Sequence, residues 1–158
     1  MEKPVYIHYG AKVFDPGKGF PIRNRKNWTK PAGGLWASRE TSAFGWKDWC
    51  ERENFRRCDT SNAFWFVLRD GAKVGVISCT DDLKRLPNKK CELWSAIPDF
   101  EECLRRGYDA IELCWYGEEY HRLAVDDIHF TLYGWDCDSI VVLNPEAVIP
   151  VSQILQTL

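Results

Sequence analysis

The chain has 158 residues, 45% of them hydrophobic and 28% charged, a balance that fits one globular domain, residues 1–158, and excludes wholesale disorder. Its formal net charge of −2 excludes a global field drawing it to nucleic acid or an anionic membrane, so both are disfavoured as partners. Seven cysteines without a CxxC pair, an N-terminus unlike a signal peptide and no apolar run near the ~18 residues of a membrane span predict a cytoplasmic protein with free thiols.

Pro4 to Tyr9 reads as a first strand, with Val5, Ile7 and Tyr9 on one face and Tyr6 and His8 on the other. Ala11 to Lys30 is a long aperiodic loop of the kind more often functional than idle in a compact domain. It carries the one local basic run, Arg23, Arg25, Lys26 and Lys30, which is either a solvated stretch or a place to meet a phosphate. Gly33 to Ser38 is a second strand, and Arg39-Glu40-Thr41-Ser42 reads as the entry to a helix-like segment running to about Phe55.

Ala63 to Arg69 is a buried strand, Asp70-Gly71 a turn, and Lys73 to Ser78 the partner strand of a hairpin. A short helix follows from Thr80 and stops at Pro87, and a second runs from Pro98 to Arg106, with Phe100, Cys103 and Leu104 inward and Gly107 as its stop. Tyr108 to Cys114 is a strand, Tyr116 to Ile128 is polar and ambiguous, and Ser139 to Leu143 is the last long strand, closed by Asn144-Pro145. Ile149 to Val151 adds an edge. This order predicts an α+β domain with a mostly antiparallel sheet and peripheral helices.

The residues that point to chemistry gather at strand ends. His8 and Gly10 close the first strand, and Gly33-Gly34 opens a second that ends Trp36-Ala37-Ser38. Glycine lets a backbone approach a ligand closely, and an aromatic face beside a hydroxyl suits a flat heterocycle. Each has a plainer reading: a satisfied structural histidine, a core tryptophan, a glycine turn after Pro31. Asp136 and Asp138 are candidate carboxylates or solvated residues of a strand-entry turn. Three scattered histidines make a tetrahedral zinc site a poor fit, although Asp126-Asp127 beside His129 could hold a metal if it is more than an exposed loop.

In this order the residues resemble the ADP-ribosyltransferase-like superfamily. Its members open with a strand bearing His or Arg followed by Gly, to which His8 and Gly10 are similar. A second strand beginning with Gly and carrying an aromatic residue and a Ser or Thr is similar to Gly34-Leu35-Trp36-Ala37-Ser38. Gly107-Tyr108-Asp109-Ala110-Ile111 and Ile140-Val141-Val142-Leu143-Asn144-Pro145 resemble two later strands of the family, so the likeness spans most of residues 5–150.

The resemblance implies a split sheet gripping NAD as a substrate. His8 would bond a ribose hydroxyl, the backbone at Tyr9 and Gly10 would meet the nicotinamide amide, and Trp36 would stack on its ring. Ser38 would support the neighbouring strand, and Arg23 and Arg25 would approach the pyrophosphate. The family's carboxylate is a Glu at the start of the last core strand. Here that position falls on or next to Ser139, which makes Asp138 the implied catalytic carboxylate, with Asp136 the other candidate. The expected function is transfer of ADP-ribose to an unidentified acceptor, taken to be a protein, by a bacterial or phage-type modifier. The alternative is an inactive domain of the same fold acting as a protein-binding inhibitor.

Overall fold

The computed structural model describes residues 2–93, 96–115 and 132–156. The polar segment Tyr116 to Ile128 and the Asp126-Asp127-His129 group lie outside the described residues. The described residues form an α+β fold around a seven-stranded sheet. In chain order the strands are β1 (Tyr6–Tyr9), β2 (Leu35–Arg39), β3 (Ala63–Leu68), β4 (Val74–Ile77), β5 (Asn88–Lys89), β6 (Ile97–Pro98), β7 (Ala110–Leu113), β8 (Ser139–Val142) and β9 (Val148–Pro150). The helices are α1 (Trp46–Arg52), α2 (Thr80–Arg85), α3 (Phe100–Arg105) and α4 (Val151–Leu155).

The sheet order is β4-β7-β8-β2-β1-β3-β9, and every pairing is antiparallel except β4 with β7; β5 and β6 make a separate small ladder. β3 and β4 are therefore not a hairpin, although the Asp70-Gly71 turn between them is real, with Gly71 at φ 73°. Both edges of β3 are taken, by β1 and β9, and β4 joins β7 at the far edge. Laid flat, five strand spacings would separate β3 from β4 by about 24 Å, more than the roughly 20 Å that the short connection can reach. The sheet must fold over on itself. Tyr6 on β1 duly donates its hydroxyl to Glu112 on β7, at 3.3 Å, across two intervening strands.

Folding over creates two cores. One lies inside the fold, between Tyr6, Phe64 and Phe66 on one side and Ala110, Ile140 and Val142 on the other. The second covers the outer face of β7 and β8, where Ile111, Leu113, Val141 and Leu143 pack against Leu83, Phe100, Cys103 and Trp135. β7 and β8 are thus covered on both faces, which is why their sequences read as nearly continuous apolar runs. The one charge in β7, Glu112, is 2% exposed and is held by two bonds from Arg39, at 2.7 and 2.8 Å.

α3 forms as its pattern predicts, with Asp99 capping the Glu102 N–H and Phe100 and Cys103 buried. α1 is shorter than its sequence segment: it begins at Trp46, with Gly45 as its N-cap, rather than at Ser42. The cap comes from another element: Ser38 on β2 accepts the Trp46 N–H at 2.9 Å. A Cβ at Gly45 would fall 2.9 Å from that of Ser38, so the contact requires glycine. Asp109 is buried and accepts from Lys73 N–H, Arg69 and Asn144, tying three connections together.

Candidate functional site

β2 is shared between the halves of the sheet, and the site follows from how it is shared. Leu35, Trp36 and Ala37 pair with β8, whereas Ser38 and Arg39 pair with Ile7 and Tyr6 of β1. Past Ile7, β1 leaves β2 and continues only with β3, placing His8 opposite Phe64 and Tyr9 opposite Ala63. The two strands diverge at His8 and Trp36. A cleft of about 260 Å³ opens in the gap.

His8 spans the top of the split. Its Nδ1 lies 2.6 Å from the carbonyl oxygen of Trp36, and its ring packs against Phe64. A carbonyl only accepts, so Nδ1 carries the proton in this bond and Nε2 is the ring nitrogen left for another partner. Three tryptophans from separate parts of the chain line the cleft. Trp36 meets Trp135 edge to face at 4.9 Å, and Trp46, the first residue of α1, lines the same cleft. Trp135 is fixed by its indole N–H, which donates to the carbonyl of Thr29 at 2.9 Å.

Two cations and one carboxylate complete the lining. Lys30 holds its ammonium 5.5 Å from the centre of the Trp36 ring, and Arg56 approaches from the segment after α1. Asp136, half-buried, follows Trp135 directly. Rings with a surplus of positive charge favour a flat heterocycle carried by an anion. Tyr9 also lines the cleft, its phenol pushed above its ordinary pKa by burial first and then by Cys58 and nearby carboxylates. Burial likewise pushes the Cys137 thiol up to about 12, with Asp136 and Asp138 adding to it, so this lining residue is no thiolate nucleophile at neutral pH.

The structure brings some of the sequence candidates together and separates others. His8, Tyr9 and Trp36 line the cleft. Gly10 sits just beyond it at φ 113°, its N–H donating to the Asn62 carbonyl; a Cβ there would meet nothing, so the glycine serves backbone conformation. Gly33 and Gly34 serve a close approach, but to protein. A Cβ on Gly33 would fall 2.2 Å from the carbonyl oxygen of Gly19, which also accepts the Gly34 N–H.

Ser38 is buried away from the lining, donating to the Asp138 carbonyl while it caps α1. Asp138 is buried with it. Its Oδ1 accepts the Trp115 N–H at 2.8 Å, and it faces a separate cavity of about 120 Å³ beside Arg39 and Glu112. The side chains of residues 136 and 138 thus part company, and Asp136 is the carboxylate in the cleft with His8. Arg23 and Arg25 stand outside, on a loop closed by the Arg23–Ala32 bridge; Lys30 and Arg56 take the cationic positions instead. Lys30 belonged to the basic run in the sequence, whereas Arg56 carried no signal of its own.

None of the seven cysteines is joined in a disulfide in this structure. No helix among the described residues is long and apolar enough to cross a membrane. Comparison with protein-family models, curated proteins and solved structures finds no match to this chain.

Proposed function

We propose that the cleft binds NAD and that the protein is an ADP-ribosyltransferase-like enzyme that transfers ADP-ribose to an acceptor. The observation that carries this reading is the parting of β1 from β2 at His8 and Trp36, which opens a ring-lined cleft inside a split sheet. The cleft suits the reacting half of the dinucleotide, nicotinamide with its ribose. Trp36, Trp46 and Trp135 offer surfaces for the nicotinamide ring, Nε2 of His8 accepts a ribose hydroxyl, and Lys30 and Arg56 lie where a pyrophosphate needs cations.

In the reaction the bond between nicotinamide N1 and ribose C1′ breaks, and its electron pair leaves on nicotinamide. A hydroxyl or amine of the acceptor forms the new bond to C1′ and gives up its proton. Asp136 serves this reading as the carboxylate that stabilises positive charge on the ribose and takes that proton. The shift from Asp138 to Asp136 follows from their surroundings, since the Asp138 carboxylate is occupied by the Trp115 N–H.

Thermal unfolding of the protein with and without NAD tests the reading. A ligand present at ~100 times its dissociation constant adds about 2.7 kcal/mol of stability, a shift of roughly 5–11 °C for a chain of this size. The expected result is that shift, lost in His8→Ala and in Trp36→Ala. No shift in the parent protein overturns it and favours the second reading, an inactive protein-binding domain of the same fold. That reading is supported by Ser139, which stands at the start of β8 where the resemblance implies Glu.

A further inference from the structure

Beside the cleft, the chain builds a basic surface of which the reading above uses only Lys30. Residues 23–30 and 88–93 come together on one side of the fold and carry six cations. The carboxylates against them are Glu92, which pairs with Lys26 at 3.3 Å, and Asp99 and Glu101, which accept from Asn24. The face stays cationic in a chain whose net charge is −2. Lys89 Nζ donates to the Arg25 carbonyl at 3.0 Å, and Lys26, Lys89 and Lys90 line a shallow groove of about 370 Å³. Trp28 stands among these cations with 55% of its surface exposed, and Arg25 lies 5.4 Å from its ring centre. Arg25 covers part of the ring, and the rest of Trp28 stands open to solvent among lysines and arginines.

The surface is built rather than loose. Asn24 accepts the Phe100 N–H and donates to Asp99; Asn27 exchanges two bonds with Glu92. Thr29 is 1% exposed and accepts the Trp135 indole N–H on its carbonyl. These anchors fix the loop before any partner arrives, which lowers the entropy lost on binding. They also join it to the cleft, because Trp135 and Lys30 belong to both.

We propose that this face binds single-stranded nucleic acid, with an unpaired base stacking on Trp28 and the sugar-phosphate chain running over Arg23, Arg25, Lys26, Lys89 and Lys90 toward the cleft. A cationic track with an exposed ring is the pattern that fits an unpaired strand, because every base offers a π-face and every nucleotide a phosphate. A duplex keeps its bases stacked on one another and gains nothing from the ring. An acidic polypeptide would use the cations but not Trp28. The net charge of the whole chain, which disfavours nucleic acid, does not describe this face. As the acceptor surface of an ADP-ribosyltransferase, the face rests on the NAD reading; as a binding surface it does not.

The test is fluorescence anisotropy of a labelled oligothymidylate of about twenty nucleotides with the full chain, in the absence of NAD. The expected result is binding whose logarithm falls with the logarithm of salt at a slope near −3, for about four phosphate contacts. Lys89→Glu with Lys90→Glu should weaken it by more than tenfold. Trp28→Ala should weaken it by roughly tenfold while leaving the unfolding temperature unchanged, since the ring is exposed. Failure of the oligonucleotide to bind overturns the proposal. So does binding that Trp28→Ala leaves intact, or that a duplex or poly-glutamate of equal charge competes for equally well; the last result would mark an acidic protein as the partner. The NAD reading fails or stands on its own thermal shift, so the two outcomes are separable.

Discussion

Replacing Arg39 by alanine should cost about 3 kcal/mol of stability. Arg39 reaches from β2 to Glu112 on β7 with two bonds, Nε to Oε2 at 2.8 Å and a terminal nitrogen to Oε1 at 2.7 Å. The Glu112 side chain is 3% exposed and that of Arg39 is 31% exposed. Without Arg39 the carboxylate keeps the Tyr6 hydroxyl, at 3.3 Å, as its side-chain donor among the described residues. Breaking a buried pair from one side typically costs 3–5 kcal/mol; because water can follow the partly exposed Arg39 stem, we take the lower end, about 3 kcal/mol. For a chain of this length that corresponds to a fall of roughly 6–12 °C in Tm. Urea denaturation at pH 7 checks it: the midpoint should fall while the slope stays constant. The triple replacement Tyr6→Phe, Arg39→Met, Glu112→Leu removes the charges and the hydroxyl together and should return to within about 1 kcal/mol of the parent. A loss below about 1 kcal/mol for Arg39→Ala, or a triple variant no better than the single, would refute the argument that the penalty lies in an unpaired buried carboxylate.

Three further outcomes are expected. Asp136→Asn should leave Tm unchanged but lower ADP-ribose transfer by at least about 10²-fold, whereas Asp138→Ala should cost roughly 1.5–3 kcal/mol by orphaning the Trp115 N–H; nicotinamide release and urea midpoints read the two effects. Stability should decline in alkali: burial holds the Cys103 and Cys137 thiols near 12, against 9.0 for a free thiol, and pushes the Tyr6 phenol above its ordinary 10.0. Folded pKa values above the unfolded ones leave that stability whole below about pH 9 and remove it as pH rises toward 12, so the urea midpoint should drop between pH 8 and pH 11 and drop less in Tyr6→Phe. Gly33→Ala should destabilise by more than about 1 kcal/mol, since its Cβ would meet the Gly19 carbonyl at 2.2 Å and its φ is 82°; an unchanged thermal midpoint would count against that contact.

Local pattern was enough for most elements. Continuous apolar residues announced β3, β7 and β8, and Gly107 marked the stop of α3, whose start the sequence put at Pro98 and the structure caps with Asp99. Pairing was less legible. Asp70-Gly71 is a sound turn signal, yet a turn fixes only how the chain reverses, not which edge is vacant when the next strand arrives. β1 and β9 hold both edges of β3, and both come from far away in sequence. The start of α1 was misread for a similar reason. Ser42 has the right chemistry for a cap, but Ser38, already fixed in β2, does the capping from outside the segment.

The site shows the same division at finer scale. His8 and Trp36 were visible because a polar ring and a large aromatic ring at strand ends break the pattern of their strands. What the sequence could not show is that β2 changes partner between Ala37 and Ser38. That change separates Trp36 from Ser38. Trp36 lies on the side where β1 has left, and Ser38 lies where β1 still pairs, so a hydroxyl two residues from a site residue is buried in an α1 cap instead. Asp136 and Asp138 repeat the lesson. In an extended strand, residues two apart would share a face, and the spacing alone would make them interchangeable. They precede β8, however, and the Asp138 main chain is already committed to Phe44 and Ser38. Its carboxylate turns to Trp115, and Asp136 is left facing the rings. The carboxylate that belongs to the cleft is therefore the one whose backbone is not recruited to hold α1 against the sheet.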